Sequence, residues 1–435
     1  MDPAIIAGII LLVGIVVLLA LAVPIAVAVG FSAFVALAVV IGPEPASFVG
    51  AQRLFTGINS FTLLAIPFFI LAGELMNTGG IAARLIDAAK VLVGRMPGSL
   101  AQTNVVANAL FGSVSGAAVA SAAAIGTVMG PRQREEGYAR SYSAAVNVAS
   151  APAGMLIPPS NTLIVYSLVS STSIATLFMA GYGPGLLWAL ACIVVVLLHS
   201  RRHPGAGRTE RVPLGVAVRT LLRAVLPLLM IVIVIGGILT GVFTPTESAV
   251  IAVLYSFVLG LAYRQISLRH LPGILLNATR TTAIVMLLVG VSTIMSWVMS
   301  YSRIPQLISD GLLGLTESPT LILLMILLVL LAVGTFLDPT PAILIFTPIF
   351  LPVVTTFGID PIHFGLIVVF ALSLGTITPP VGNVLFVGAR VAGLRVEPVI
   401  MALVPFFLAL TFTLLVVTFV PQLSLWLPEA VGLLE

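Results

Sequence analysis

The stretch Leu156-Ile157-Pro158-Pro159-Ser160-Asn161 interrupts one apolar run, and Thr378-Pro379-Pro380-Val381-Gly382-Asn383 interrupts another near the opposite end of the chain. Proline lacks the backbone amide that an α-helix requires, and its ring blocks the preceding turn. Each Pro-Pro pair therefore predicts a helix that is broken within its length. We expect the two broken helices to cover residues 140–170 and 363–389.

Composition places the chain in a membrane. Of its 435 residues 60% are hydrophobic and 8% are charged, whereas a typical soluble domain has roughly 25% charged residues. A soluble domain could not bury so much apolar surface, so we expect an all-α polytopic membrane protein. The single cysteine and the four scattered histidines show no metal-ligand spacing. We therefore expect neither a transition metal nor an organic cofactor.

Most apolar runs have the length of a single membrane span, about 20 residues. These runs cover residues 4–21, 23–41, 61–77, 176–199, 222–241, 247–264, 281–300 and 397–421. Two further stretches, 99–130 and 319–355, are too long for one span, and each contains a polar break. Irregular backbone of this kind is tolerated at membrane depth only where protein or water surrounds it.

The positive charges predict the orientation. Seventeen of the 19 Lys and Arg residues lie in loops, and only Arg53 and Arg303 lie elsewhere. By the positive-inside rule these loops are cytoplasmic, which explains the basic excess and excludes nucleic-acid binding. The loops cover residues 79–100, 131–140, 200–223, 264–280 and 389–396.

Ten full crossings then place both termini on the outer side. This topology closes only if 99–130 and 319–355 each enter and leave the membrane on the same side. We therefore predict two re-entrant hairpins, the first opening to the cytoplasm and the second to the outside.

The two halves of the chain repeat one order of features. Gly112-Ser113 and Gly334-Thr335 lie at the expected hairpin breaks, and both Gly112/Gly334 and Asn161/Asn383 are 222 positions apart. Each hairpin follows an amphipathic arm, at 79–95 in the first half and at 303–316 in the second. Units of opposite orientation form an inverted-topology repeat, which in transporters places the binding sites at the midplane.

This repeat divides the chain into four parts. We expect N-terminal scaffold helices in 1–60, the first repeat in 61–200, and scaffold helices with cytoplasmic loops in 201–280. Residues 281–435 form the second repeat and the C-terminal span. The fold predicted is an all-α inverted-repeat ion transporter with two re-entrant hairpins and two broken transmembrane helices.

The breaks also predict the binding sites. Carbonyls freed by the prolines can coordinate Na⁺, while half-helix N-termini favour an anionic group. The alternative is helix packing through small residues. The candidate Na⁺-binding residues are Gly112, Ser113, Ser115, Pro158, Asn161, Gly334, Thr335, Asp338, Gly375, Thr376, Thr378 and Pro379. The candidate substrate-binding residues are Ser115, Gly116, Ser160, Thr335, Thr340 and Asn383.

Asp338 has two readings. A carboxylate near the bilayer middle is costly and faces a cavity or a partner, so Asp338 can balance a bound cation. It can equally cap the returning half of the second hairpin, because Asp-Pro-Thr-Pro is a favourable helix start.

Five motifs, in the same order along the chain, resemble the large membrane subunit of tripartite ATP-independent periplasmic (TRAP) transporters. They are Gly73-Glu74-Leu75-Met76-Asn77-Thr78-Gly79-Gly80-Ile81, Phe111-Gly112-Ser113-Val114-Ser115-Gly116, Ala122-Ala123-Ala124-Ile125-Gly126-Thr127, Ile157-Pro158-Pro159-Ser160 and Thr378-Pro379-Pro380-Val381-Gly382. The resemblance covers nearly the whole chain. Two positions depart from it: many relatives have Asp where this chain has Ser121, and the residue at Asn383 varies between relatives.

The resemblance implies an elevator mechanism coupled to Na⁺. It implies a small four-helix membrane partner and a periplasmic protein that delivers the substrate. The implied substrate is an organic acid, such as a C4-dicarboxylate, sialic acid or another sugar acid. The implied location is a bacterial inner membrane with both termini in the periplasm.

Other functions stay open as alternatives. A stand-alone ion-coupled anion carrier would share this architecture. An intramembrane enzyme would need a nucleophile and a base at depth, for which Ser113 and Asp338 are the only nearby candidates. A channel would need one continuous polar pore.

Overall fold

The computed structural model describes residues 3–202, 213–267, 269–316 and 318–434, and within these ranges it contains helices but no strand. The N-terminal helices are α1 (Pro3–Ala20), α2 (Ile25–Ile41), α3 (Pro43–Ile58), α4 (Ala65–Thr78) and α5 (Ile81–Val93). α3 was not predicted, because its mixed polar and apolar residues form no continuous apolar run. α5 lies within the predicted first arm and turns by 73° from α4.

The first long stretch forms a helical hairpin, and the first Pro-Pro pair separates two helices. The elements are α6 (Ser99–Ser115), α7 (Ala118–Glu135), α8 (Arg140–Ser150), α9 (Ala153–Leu156) and α10 (Asn161–Ser170). α6 packs along α7. The break in this hairpin is at Gly116-Ala117, so the expected break at Gly112-Ser113 is wrong, since both residues are helical.

The central helices are α11 (Ile174–Arg202), α12 (Leu214–Leu239), α13 (Pro245–Ala262), α14 (Leu271–Tyr301) and α15 (Ile304–Leu315). α15 corresponds to the predicted second arm. α2 and α4 both pack against α14, and α13 packs against α4.

The second half contains the same kinds of break. Its helices are α16 (Pro319–Gly334), α17 (Pro339–Thr356), α18 (Pro361–Gly375), α19 (Asn383–Ala392), α20 (Val396–Phe419) and α21 (Gln422–Ala430). Thr335–Asp338 separate α16 from α17 at the predicted hairpin break, and the second Pro-Pro pair lies between α18 and α19. Every residue of α18 from Ile362 to Gly375 is buried, so this helix runs through the centre of the protein.

The chain is a multi-pass membrane protein. Among the described residues, six helices are long and apolar enough to cross a membrane, or seven if the bent pair α4–α5 counts as one span. The six include α17, which was predicted as half of a re-entrant hairpin, whereas α2 and the halves of the broken helices are shorter. The expectation of ten crossings is therefore not confirmed by length and composition.

The halves pack crosswise. In each half the entering hairpin helix packs against the first part of the broken helix: α6 on α9, and α16 on α18. The returning hairpin helix instead packs against the last part of the broken helix from the other half: α7 on α19, and α17 on α10. This arrangement brings both hairpin tips and both Pro-Pro breaks to one region.

Candidate substrate and ion site

A cavity of about 540 Å³ lies where four helices begin. Its wall includes Ala118 at the start of α7, Asn161 at the start of α10, Pro339 at the start of α17 and Asn383 at the start of α19. Both hairpins and both broken helices thus contribute a helix N-terminus. Such ends carry partial positive charge and unsatisfied amides.

Much of the remaining wall of this central cavity is apolar, although Thr281 of α14 also lines it. It is formed by the start of α2, by Ile66 and Ile70 of α4, and by residues of α14 from Thr281 to Leu288. Among the described residues that line the cavity, Asp338 is the only one with an ionisable side chain. No Lys or Arg is present in that set to hold an anion.

Asp338 is exposed to the cavity and joins two elements. Its Oδ1 accepts a hydrogen bond from the backbone amide of Thr340 over 3.3 Å, which caps α17. Its Oδ2 accepts a hydrogen bond from Nδ2 of Asn383 over 2.8 Å. The capping role is therefore present, together with a link to α19 that was not predicted.

Oxygen atoms concentrate at the second break. The amide of Gly382 donates to the carbonyl of Thr335 over 3.0 Å, which ties the end of α16 to the residue before α19. Gly382 has a φ of 33°, and a Cβ there would lie 2.8 Å from the carbonyl oxygen of Thr378 and 3.0 Å from that of Thr376. Only glycine fits this close approach.

Three threonine hydroxyls near the second break make the same kind of hydrogen bond. Those of Thr335, Thr376 and Thr378 each donate to a carbonyl of the preceding turn over 2.7 Å. A hydroxyl whose proton is committed in this way keeps its oxygen lone pairs. These oxygens can therefore serve as ligands for a cation.

The first hairpin tip approaches the first broken helix closely. Gly116 has a φ of 63° and ends α6, and a Cβ on it would lie 3.2 Å from Nδ2 of Asn161. The hydroxyl of Ser113 donates to the carbonyl of Leu110 over 2.8 Å. Ser115 Oγ is buried without a hydrogen-bond partner.

Serine and threonine hydroxyls form hydrogen bonds to the backbone on both sides of the first Pro-Pro break. Ser160 Oγ donates to the carbonyl of Met155 and accepts from the amide of Leu163 over 3.5 Å, so it caps α10. Thr162 donates to the same carbonyl over 2.8 Å. Ser160 is fully buried, so its hydroxyl depends on these partners within the protein.

The structure brings part of the predicted site together at the cavity. Six predicted residues line it: Gly116, Asn161, Asp338, Thr340, Thr376 and Asn383. The other predicted residues do not line the cavity, although each lies within a few positions of the same breaks along the chain: Gly112, Ser113, Ser115, Pro158, Ser160, Gly334, Thr335, Gly375, Thr378 and Pro379.

A buried polar network that joins the first hairpin to α8 was not predicted. Asn108 Nδ2 lies 2.8 Å from Asn104 Oδ1 and 3.0 Å from Asn147 Oδ1, while Ser121 donates to Asn108 Oδ1 over 2.7 Å. Asn147 in turn donates to the carbonyl of Ala122 over 2.7 Å. The signal in the sequence was the pair Asn104 and Asn108, four residues apart on one helix face.

Comparisons with known proteins agree with this architecture. The sequence profile described as "Tripartite ATP-independent periplasmic transporter, DctM component" matches residues 12–423. The chain is 52% identical to the uncharacterized protein YgiK of Salmonella typhimurium, with 92% of each chain covered. It is 38% identical to the sialic acid TRAP transporter large permease protein SiaM of Vibrio cholerae, covering 92% of this chain and 94% of that one.

A solved structure shares the fold. The crystal structure of the YdaH transporter of Alcanivorax borkumensis matches with a TM-score of 0.62 at 14% identity, covering 89% of this chain and 90% of that chain. At this identity the likeness concerns the fold alone. The sequence matches are far stronger, and they show that the chain belongs to the DctM family, the large permease subunits of tripartite ATP-independent periplasmic transporters.

Proposed function

We propose that this permease imports an organic acid anion through the central cavity and couples the import to Na⁺. The observation that carries the proposal is the meeting of four helix N-termini at a cavity whose one charged lining side chain, within the described residues, is Asp338. N-termini attract an anion, whereas Asp338 and the nearby carbonyls attract a cation. The cavity is suited to bind both together.

The anion is held by backbone rather than by basic side chains. Each helix start carries about half a positive charge, and its first amides have no partner within the helix. α7 begins at Ala118 without a side-chain cap, so its amides are available to a carboxylate. We place the substrate between this helix start, Asn161 and Thr340.

The cation balances the carboxylate of Asp338. A bare carboxylate beside an anionic substrate would repel it, and a bound Na⁺ removes that repulsion. The oxygens of Thr335, Thr376 and Thr378 are ligands of the type that a hard cation prefers. We propose one Na⁺ site formed by Asp338 and these three threonines. We propose a corresponding site at the first hairpin tip, around Ser115 and Asn161.

The coupling follows from this arrangement. Without Na⁺ the Asp338 carboxylate disfavours the anion, and without the anion the cation lacks part of its electrostatic partner. The two hairpins and the broken helices would move together along the apolar wall of α2, α4 and α14, as in an elevator. On this proposal residues 1–60 and 201–280 belong to the scaffold, and the moving hairpins and broken helices lie within 61–200 and 281–435.

The remaining assignments complete the proposal. The permease would act with a small four-helix membrane subunit and a periplasmic binding protein, in a bacterial inner membrane with both termini periplasmic. The name of the Vibrio cholerae relative concerns sialic acid. For this chain we propose the broader class of organic acids, which includes sialic acid, other sugar acids and C4-dicarboxylates.

The test is uptake into proteoliposomes that contain the permease and its small subunit, with the binding protein outside. Labelled sialic acid and succinate serve as probes. We expect uptake that requires both an inward Na⁺ gradient and the binding protein. Equal uptake with K⁺ in place of Na⁺ would remove the coupling, and equal uptake without the binding protein would support a stand-alone carrier.

The intramembrane-enzyme alternative has little support in the site. Ser113 donates to a carbonyl of its own helix and does not line the cavity, whereas Asp338 does. The two are not placed as a nucleophile and its base.

A further inference from the structure

A lateral groove of about 840 Å³ lies between α1, α14 and α15 on one side and the second hairpin on the other. Its wall on α1 extends from Gly8 to Ala20, which corresponds to about 18 Å of helix rise. The hydrocarbon core of a bilayer is about 30 Å thick. The lateral groove is therefore close in length to the hydrocarbon of a single leaflet.

The wall of the lateral groove is apolar throughout. Every described residue that lines it has an apolar side chain, and only Gly8 and Ala20 among them are small. Helices that associate within a membrane use small residues at the contact, which lets their backbones approach closely. Larger side chains such as Met295 and Met299 adapt to the shape of a flexible partner. The lining therefore suits a hydrocarbon chain better than a partner helix.

One end of the lateral groove lies at the predicted outer surface. The start of α1 meets the start of α15 there, since a Cβ on Gly8 would lie 3.9 Å from Cδ1 of Ile304. The last turns of α14 carry Trp297 and Tyr301, whose rings stack with their centroids 4.9 Å apart. Tryptophan and tyrosine concentrate at the level of the lipid headgroups. This end of the groove therefore reaches the depth of the lipid phosphates.

Arg303 supplies a positive charge at the same end. It directly precedes Ile304, which lines the groove, and it is exposed and forms no ion pair with any described residue. Arg303 is one of the two basic residues outside the cytoplasmic loops, so the positive-inside rule does not account for it. A guanidinium group is well suited to a phosphate.

The other end of the lateral groove reaches the second hairpin tip and the second Pro-Pro break. Phe336, between α16 and α17, and Val381, directly after Pro380, line it and are exposed. Ile25 lines both the lateral groove and the central cavity. A chain that fills the groove therefore lies against the wall of the central cavity.

We propose that the lateral groove binds one phospholipid of the outer leaflet. One acyl chain fills the groove from Ile304 to Val381, and Arg303 holds the phosphate. Exposed apolar surface at this depth favours contact with hydrocarbon, and the charge at the mouth selects a lipid with a phosphate group. The site contains none of the residues assigned to Na⁺ or substrate, so lipid binding requires neither.

The test is native mass spectrometry of the purified permease with its small subunit, titrated with phosphatidylglycerol. Diacylglycerol with the same acyl chains serves as the probe that lacks a phosphate. We expect a first phosphatidylglycerol to bind roughly fivefold or more tightly than diacylglycerol. Equal affinities for the two lipids would overturn the proposal.

Variants of α1 locate the acyl chain. L12W/V16W fills the groove from two lining positions that are 69% and 57% exposed, whereas V13W/V17W adds the same side chains at positions that are 51% and 47% exposed and do not line it. The first variant should weaken phosphatidylglycerol binding by roughly tenfold or more, and the second by less than about twofold. Equal effects of the two variants would refute binding in the groove.

Arg303→Gln locates the phosphate without altering the groove. In this variant the affinities for phosphatidylglycerol and diacylglycerol should agree within about twofold. Arg53→Gln removes the other basic residue outside the cytoplasmic loops, which lies over the ring of Trp297 and does not line the groove. This control should keep the preference for phosphatidylglycerol. A preference that survives in Arg303→Gln would refute the assignment of the phosphate.

A helix of the small subunit is the competing occupant of the lateral groove. Val16 is replaced by p-benzoylphenylalanine, which on irradiation forms a covalent bond to whatever lies in the groove. We expect the intact mass of the permease to increase by that of one phospholipid. A cross-link to the small subunit instead would overturn the proposal.

Discussion

The side-chain amide of Asn383 donates a hydrogen bond of 2.8 Å to the carboxylate of Asp338, which joins the second hairpin to the last part of the second broken helix. The same carboxylate caps α17 through the amide of Thr340. One residue therefore fixes two helix starts at the edge of the central cavity. A cation near Asp338 would act on both helices at once.

Asp338→Asn is expected to impair transport more than Glu247→Gln. The first change removes the charged lining residue of the cavity, whereas Glu247 forms an exposed capping box with Thr244 at the start of α13. Interactions with a charged group contribute about 1.5–3 kcal/mol, so the apparent Na⁺ affinity should fall roughly tenfold or more. Na⁺-dependent uptake in proteoliposomes measures both variants. A larger loss in Glu247→Gln would show that Asp338 is not the carboxylate on which Na⁺ binding depends.

The sequence could predict the broken helices because proline acts locally. A Pro-Pro pair interrupts a helix whatever packs around it, and the structure has breaks at both Pro158-Pro159 and Pro379-Pro380. The bond between Asn383 and Asp338 joins residues 45 positions apart, and its existence depends on how two elements pack. The chemistry of each residue could be read from the sequence, but their pairing could not.

The first hairpin shows why a glycine is ambiguous. Gly112 was expected to mark the break, yet it lies within α6 and packs against Gly154 of α9. A Cβ on Gly112 would lie 2.6 Å from the Cα of Gly154. Glycine permits both a turn and a close helix crossing, and the sequence alone does not separate these two uses.

Replacing a glycine at such a close helix crossing should destabilise the permease. Gly154→Ala forces a methyl group into the backbone of Gly112, and Gly375→Ala does the same at Gly334, where a Cβ would lie 2.5 Å from the Cα. Overpacking of this kind typically costs about 1–3 kcal/mol. Thermal unfolding of the purified protein should show a lower midpoint for both variants.

Gly236→Ala is the control for this pair. Gly236 lies inside α12, and a Cβ there would meet nothing within 4 Å. This change should leave the midpoint unchanged or raise it, since alanine favours a helix over glycine by about 1 kcal/mol. If all three variants behaved alike, the close helix crossings would not be important for stability.

The orientation can be tested with single cysteines in a Cys192→Ala background. Arg134→Cys and Thr209→Cys should react with a membrane-impermeant maleimide only from the cytoplasmic side, although residue 209 lies outside the described ranges. Thr356→Cys, exposed at the end of α17, should react only from the outside. Intact cells and inverted vesicles distinguish the two sides. Reaction of the first two positions in intact cells would overturn the predicted topology.

The buried asparagine network should contribute to the stability of the first hairpin. Asn108→Ala would leave Asn104 Oδ1, Asn147 Oδ1 and the Ser121 hydroxyl without their shared partner. A buried polar group that loses its hydrogen bond costs about 1–3 kcal/mol, so the unfolding midpoint should fall by several degrees. Asn277→Ala, at an exposed position of α14, removes the same chemical group and should change stability by less than about 0.5 kcal/mol. Equal midpoints for the two variants would mean that the network positions polar groups without stabilising the hairpin. Measuring Na⁺-dependent uptake by Asn108→Ala would then show whether that positioning serves transport.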